Sequence, residues 1–450
     1  MVEISPKLIA TLALPRTAEE LKIPISLVSD LIYRLLFRER DVSVRRMSEV
    51  IRVHNQVLDP LLSQMQLEHL VEIAGTGALG RLSYIYRLTE EGTKRAREAM
   101  ERSQYVGPAP VDLDTYRRAI LIQTAQENRI FPSQVKRALS HLVLPDNFHR
   151  RIGPAINAGS SLFIYGPPGN GKTTIAQTVA ELLAGSDPIW LPYALTVAGQ
   201  MIQIHDPQIH IPAELPKQKG PGRDRQSALK NFDQRWALFK RPGVMVGGEM
   251  TMDSLELRYE PTGKFYEAPL QLKANGGMFL IDDLGRQRIR PDQLLNRWIV
   301  PLESEIDFLR LRTGQTLEVP FKQLIVFSTN LDPGDLVDLA FLRRIQMKVE
   351  VGPPDEKRYY QIFLRVCKQW DFPFERQPFL HLLKKWYYET GRAMQAVHPR
   401  DIIRTIISIC EYEGVPPRMD PELIDEACDC YFVELDTEKG RVAAIPAIPE

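Results

Sequence analysis

Residues 162–174 read Leu-Phe-Ile-Tyr-Gly-Pro-Pro-Gly-Asn-Gly-Lys-Thr-Thr, and no other stretch constrains the fold of this chain as tightly. Four apolar residues run into Gly166-Pro167-Pro168-Gly169-Asn170-Gly171-Lys172-Thr173, and a helix-forming run, Thr174 to Leu183, follows at once. A buried strand, a glycine-rich turn and a helix in that order commit the region to an α/β sheet. The turn has the form of a phosphate-binding P-loop. Glycines at 166, 169 and 171 let backbone N–H groups approach an anion without a clashing Cβ. Lys172 supplies a point charge for β- and γ-phosphates, and the Thr173 hydroxyl can ligate Mg²⁺. The N-terminus of the following helix favours the same phosphates. Gly166 to Thr174 are therefore the candidate residues for binding a nucleoside triphosphate.

At 450 residues the chain exceeds one ordinary core, so two to four domains are expected. Lysine plus arginine number 57 and aspartate plus glutamate 57, so no global field draws the molecule to nucleic acid or anionic lipid. Any such surface must be local. Cys367, Cys410, Cys428 and Cys430 lie in the C-terminal quarter, without the C-x-x-C spacing or histidine pair of a zinc site. Buried free thiols in a reducing compartment are expected. No apolar run reaches about 18 residues, and the N-terminus lacks a charged start followed by an apolar core. These patterns predict a cytoplasmic protein without a transmembrane segment.

The chain reads as successive blocks: 1–103, a linker at 104–114, a nucleotide-binding block at 115–352 with an insert at 195–275, a helical block at 353–435 and a tail at 436–450. In the first block, helical periodicity over 25–39, 43–52 and 56–69 precedes a strand (Leu70 to Ala74), a glycine-rich tip and a returning strand (Leu82 to Leu88). Thr89-Glu90-Glu91-Gly92 is the capping signal of a further helix. This arrangement resembles a winged-helix domain over residues 17–102. The segment from His54 to His69, in the position of a recognition helix, holds Asp59 and Glu68 and neither lysine nor arginine. Readers of the major groove bring cations to phosphates and Arg, Lys, Asn or Gln to base edges. The basic residues lie instead at Arg38, Arg40, Arg45, Arg46 and Arg52, and at Lys94, Arg95 and Arg97. Both DNA binding through residues 1–103 and docking to a protein stay open.

About a hundred residues beyond the P-loop, Gly277-Met278-Phe279-Leu280-Ile281-Asp282-Asp283 is an apolar strand ending in two carboxylates. Ligands of parallel sheets sit at such ends. Asp282 is a candidate Mg²⁺ ligand with Thr173, and Asp283 a candidate base for an attacking water. A further strand, Leu324 to Phe327, ends in Ser328-Thr329-Asn330, which sets an amide beside the same edge. Phe341-Leu342-Arg343-Arg344-Ile345 then closes a helix before the strand Met347 to Val351. Two cations there suit a helix C-terminus, and equally suit an arginine reaching a neighbour's γ-phosphate.

This ordered set resembles the AAA+ ATPases over about residues 130–435. The resemblance implies an α/β fold: a parallel P-loop NTPase sheet with a C-terminal helical lid, here behind the winged-helix domain. It implies ATP and Mg²⁺ as ligands, Asp282-Asp283 as the Walker B pair, Asn330 as sensor 1 and Arg344, or else Arg343, as a trans-acting finger. Within His398-Pro399-Arg400-Asp401, Arg400 matches the sensor 2 position. Most AAA+ proteins carry Glu where Asp283 stands, so the carboxylate here is one methylene shorter, which leaves the rate of turnover open. The run Gly263 to Asp283, with Ala274-Asn275-Gly276-Gly277, is similar to sigma-54 activators and MoxR-type ATPases, whose inserts carry substrate-engaging loops. Phe308 to Val319 reads as a hairpin around Thr313-Gly314 and resembles the pre-sensor 1 hairpin of one AAA+ clade. The resulting expectation is a hexameric ring ATPase that remodels or assembles an unidentified protein client. A DNA-directed loader, transcription activator or transposition helper is the alternative, and a slow nucleotide-gated switch the third.

Overall fold

Short apolar runs bounded by glycine, proline and acidic residues form the sheet that organises the molecule. The structure, a computed structural model, describes residues 5–76, 80–125, 130–159, 161–214, 231–336 and 339–432. Strands β1 (Ser161–Tyr165), β2 (Gly243–Val246), β3 (Met278–Ile281), β4 (Leu324–Thr329) and β5 (Met347–Glu350) are all parallel, in the order β2-β3-β4-β1-β5. The residues of β3 and β4 are buried throughout, as expected of strands covered on both faces. Ile281 pairs with Phe327 and Ser328 with Ile164, so β3, β4 and β1 end at one edge. Helix α1 (Lys172–Ala184) follows β1. Trp298, fully buried on the helix Pro291–Ser304, packs edge-on against Phe279, Phe321 and Phe327.

The chain divides into two compact units. One comprises residues 1–139, 147–165 and 173–350; the other comprises 140–146, 166–172 and 351–450. The phosphate loop up to Lys172 thus groups with the C-terminal helices.

Within the first unit, the stretch read as a single insert at 195–275 is interrupted. Residues 243–246 are β2, a member of the parallel sheet paired to β3. The pieces on either side build a second five-stranded sheet, in the order Arg258–Glu260, Phe265–Glu267, Gln200–Gln203, Ala194–Val197 and Val111–Asp112. Its last strand lies in the segment read as a linker. Tyr105, Ala109 and Val111 of that segment are buried, Ala109 N–H donates to Ile51 O at 2.7 Å, and Gln104 N–H donates to Gly263 O at 2.8 Å. The polar run Pro216 to Arg223 and the tail 436–450 lie outside the described residues.

The first block folds as helices Ile25–Glu39, Val44–Ile51 and Asn55–Leu67, strands Val71–Gly75 and Ile85–Leu88, and helix Glu90–Arg102. A two-residue strand, Val42–Ser43, joins the sheet beside Ile85–Leu88. The returning strand begins at Ile85 rather than Leu82 because Gly80–Ser83 forms a 3₁₀ turn; Gly77 to Leu79 at the tip lie outside the described residues. Thr89 Oγ1 accepts from Gly92 N–H at 3.0 Å, the expected N-cap. The core of this block runs on through Tyr105 and Ala109 to Ala194 and Met201 of the second sheet. Buried Arg235 reinforces the join. It pairs with Asp233 at 2.7 Å and donates to Leu21 O and Pro110 O at 3.1 and 2.9 Å.

Helices Leu113–Ala125 and Pro132–Ala138 precede β1, the second opening on a proline at its first position. The expected hairpin is present as Ile306–Arg310 paired with Thr316–Pro320.

In the second unit, helices α2 (Glu356–Gln369), α3 (Arg376–Leu383), α4 (His398–Glu413) and α5 (Pro421–Tyr431) enclose Tyr359, Phe363, Leu382, Ile402, Ile406 and Ile424. Beyond Leu383 the winding changes to a π-helical turn over Lys384–Tyr388. Cys367, Cys410 and Cys428 are buried free thiols, whereas Cys430 is exposed. Among the described residues no helix is long and apolar enough to cross a membrane.

Candidate nucleotide site

Asp282 and Asp283 follow β3, and Asn330 follows the adjacent strand β4, so the register of two buried strands brings three polar side chains to one edge. Thr173 Oγ1, in the first turn of α1, donates to Asp282 Oδ2 at 2.8 Å. Asp283 N–H donates to Asp282 Oδ1 at 3.1 Å, and Asn330 Nδ2 donates to Asp283 Oδ1 at 2.6 Å. Thr173, Asp282, Asp283 and Asn330 are therefore one hydrogen-bonded chain, joined as the motif order implies. Asp283 has a left-handed backbone, φ +52°.

Sequence reasoning missed two further contributors. Gln287 Nε2 donates to Asp282 O at 2.7 Å and to Asp283 O at 3.0 Å, and Thr329 Oγ1 donates to Leu284 O at 2.8 Å. Thr329 lay inside a motif already noted, but nothing in the spacing marks Gln287.

The donor set suits Mg²⁺. A hydroxyl and a carboxylate oxygen within hydrogen-bond distance of each other are hard ligands, and this ion commonly uses one or two protein oxygens together with water and phosphate oxygens. Among the described residues no group of three or more His, Cys, Asp or Glu could hold a metal ion by itself.

In the second unit, the phosphate loop is fixed by close contacts. Gly166 has φ +133°, and a Cβ there would meet Val351 O at 2.5 Å; Gly169 has φ +75°, and a Cβ there would meet Gln395 Oε1 at 2.5 Å. At Gly166 the clash is with backbone that cannot give way, and at both positions the positive φ is one that other residue types rarely adopt. Lys172, nearly buried, donates to Gly166 O and Pro167 O, each at 2.8 Å. Asn170 Nδ2 donates to Pro167 O at 3.3 Å. The segment before α4 rests on this loop: Val397 N–H donates to Gly169 O at 2.9 Å and Ala396 N–H to Asn170 Oδ1 at 3.2 Å. Arg400 stands one turn into α4, exposed and paired with Asp401 at 2.8 Å.

The end of α4 that meets the loop is supported from behind. Tyr359 OH and Tyr387 OH are 2.6 Å apart, and Tyr387 OH lies 2.9 Å from Nδ1 of buried His398. Burial pulls the His398 imidazole down to about 4, with a smaller push from the Arg392 cation and opposition from Asp401.

The two expected finger arginines differ. Arg344, a quarter exposed, is bound to Glu303 at 2.6 Å, whereas Arg343 is exposed and has no ion pair among the described residues. In the first block, four of the eight basic residues named from the sequence are engaged by acids, Arg45 with Glu49, Arg46 with Glu39, Lys94 with Glu91 and Arg95 with Glu98, and Arg87 on the returning strand pairs with Asp41.

A family described as "Domain of unknown function (DUF8689)" matches residues 355–430, which span helices α2 to α5. Over 121 residues the chain is 30% identical to an AAA ATPase forming ring-shaped complexes from Corynebacterium jeikeium (strain K411), covering 26% of this chain and 22% of that protein. Over 122 residues it is 29% identical to the vesicle-fusing ATPase of Dictyostelium discoideum, covering 27% of this chain and 16% of that protein. The matched stretch thus spans about a fifth of each relative's length. Among solved structures, a mutant of Thermotoga maritima RuvB aligns at 13% identity and a TM-score of 0.35, covering 67% of this chain and 71% of that one. The phosphate loop and the parallel sheet with its Asp-Asp strand accord with this similarity to two curated AAA ATPases.

Proposed function

We propose that this chain hydrolyses ATP as a ring ATPase that remodels or assembles a protein partner.

 In this reading six copies close into a ring, the number the AAA+ resemblance implies, each completing its neighbour's site. The observation that carries it is the hydrogen-bonded chain Thr173–Asp282–Asp283–Asn330 at the ends of two adjacent parallel strands. A P-loop alone fits a kinase or a switch. A carboxylate tied to an amide at the same edge is what orienting an attacking water requires.

Lys172 and the loop N–H groups bind the β- and γ-phosphates, and Thr173 and Asp282 hold Mg²⁺, which offsets phosphate charge when bound. Asp283 and Asn330 orient the water for in-line attack and Asp283 takes its proton. Arg400 acts on the γ-phosphate in cis, and an arginine of the neighbouring copy acts in trans. Glu303 occupies Arg344, so exposed Arg343 is the better candidate for that trans role, reversing the order that the motif alone suggested.

The DNA-directed alternative is disfavoured by the acid partners of Arg45, Arg46, Arg87, Lys94 and Arg95. A cytoplasmic setting goes with this reading. The deciding experiment is multiple-turnover phosphate release by the wild type beside Asp283→Asn, with retained ATP measured in both. Loss of a positioned base predicts a fall of about 10²–10⁴-fold with ATP still bound. Equal turnover by the two proteins refutes the assignment, and a wild type that binds ATP without turnover is the nucleotide-gated switch instead. Proteins retained on ATP-loaded Asp283→Asn identify the client.

A further inference from the structure

The turn after β3 is held by a side chain that no motif marks. Gln287 Nε2 donates to the carbonyls of both Asp282 and Asp283, at 2.7 and 3.0 Å, and Gln287 Oε1 accepts from Gly285 N–H at 2.9 Å. One half-buried amide therefore spends its donors and its acceptor on a single four-residue turn, while its neighbours Arg286 and Arg288 are exposed. Thr329 Oγ1 meets the next carbonyl, Leu284 O, and Leu284 N–H donates to Ser328 O at 2.8 Å. Three successive carbonyls thus each accept from a side chain.

Asp283 sits inside this frame at φ +52°. A left-handed backbone is unfavourable for a non-glycine residue. Aspartate often offsets that cost by bonding its own nearby backbone, but here Asn330 engages the carboxylate, at 2.6 Å. Such conformations persist where the surroundings over-determine them. Arg286 N–H also reaches Asp283 O, at 2.9 Å, but that bond closes the turn without tying it to Asp282 or Gly285. Gln287 is the group that links all three.

We propose that Gln287 is a positioning residue for ATP hydrolysis, holding Asp283 in the left-handed turn from which its short carboxylate meets Asn330. The inference rests on the proposed ATPase reading. Gln287→Ala removes the whole clamp. Gln287→Glu keeps the size and the acceptor for Gly285 but, ionised, donates to neither carbonyl. In both variants kcat is expected to fall about 10- to 100-fold while KM for ATP stays within about threefold. A kcat within about threefold of wild type in both variants overturns the proposal, as does a loss of ATP affinity equal to the loss of rate.

A second measurement separates this inference from the reading beneath it. Amide exchange at Gly285, whose N–H is bonded by Gln287, is expected to quicken about tenfold or more in Gln287→Ala. Unchanged protection refutes the clamp even if turnover falls. A wild type without phosphate release removes the ATPase reading, while the Gly285 exchange rate still decides whether the clamp exists.

Discussion

Acidification should loosen the helical unit through His398. Its Nδ1 faces two donors, Tyr387 OH at 2.9 Å and Gln395 N–H at 3.4 Å, and a backbone N–H can only donate. That nitrogen is therefore an unprotonated acceptor in the folded state, in keeping with a side chain 4% exposed and pulled down to about 4 from the ordinary 6.5. The folded value lies below the unfolded one, so the contribution is complete above pH 6.5 and is lost as pH falls toward 4. Full titration corresponds to about 3 kcal/mol, of which about 2 is gone by pH 5. Amide exchange of α4, read as protection factors at pH 7 and pH 5, isolates this unit from buried His210, which is pulled down in the same range but belongs to the other unit. Protection should fall about twentyfold or more between those conditions. His398→Gln keeps an acceptor without titrating in this range, and should flatten the response. An undiminished fall in that variant would refute the reasoning. Because Val397 and Ala396 bond Gly169 and Asn170, the same acidification should weaken nucleotide binding in the wild type more than in the variant.

Two other substitutions test separate parts of the argument. Arg343→Ala should leave ATP binding intact and lower concentration-dependent turnover about 10³-fold or more, whereas Arg344→Ala, which removes the Glu303 pair, should cost far less; the reverse order in a phosphate-release titration against protein concentration restores Arg344 as the trans residue. Arg235→Met leaves buried Asp233 without its cation and should destabilise the first unit by about 3–5 kcal/mol in urea unfolding, and adding Asp233→Leu should restore most of the loss.

The site was legible in the sequence where a chemical requirement fixes a residue type at a fixed distance. Gly166 and Gly169 hold positive φ angles that favour glycine, and Asp282 must follow a strand that is apolar on both faces, so loop and strand announce themselves. Strand β2 did not. Gly243-Val244-Met245-Val246 is four residues long and follows Lys240-Arg241-Pro242 inside a stretch of unrelated hairpins, and only its pairing with β3 marks it as part of the main sheet. Val111–Asp112 is shorter still, and the prolines around it read as a tether although tertiary pairing makes it a strand. The roles of Gln287 and Glu303 depend on contacts formed after folding, which no spacing along the chain encodes.

The buried join at Tyr105 and Ala109 changes how this chain can be cut. A fragment ending at residue 103 would lose both side chains and the Pro110 carbonyl that Arg235 grips, and its core would lose the cover of Ala194 and Met201. The complementary fragment would present those same two residues and Phe265 to water. Limited proteolysis should accordingly spare residues 104–114, and an assay of DNA or protein capture by the N-terminal helices belongs on the intact chain.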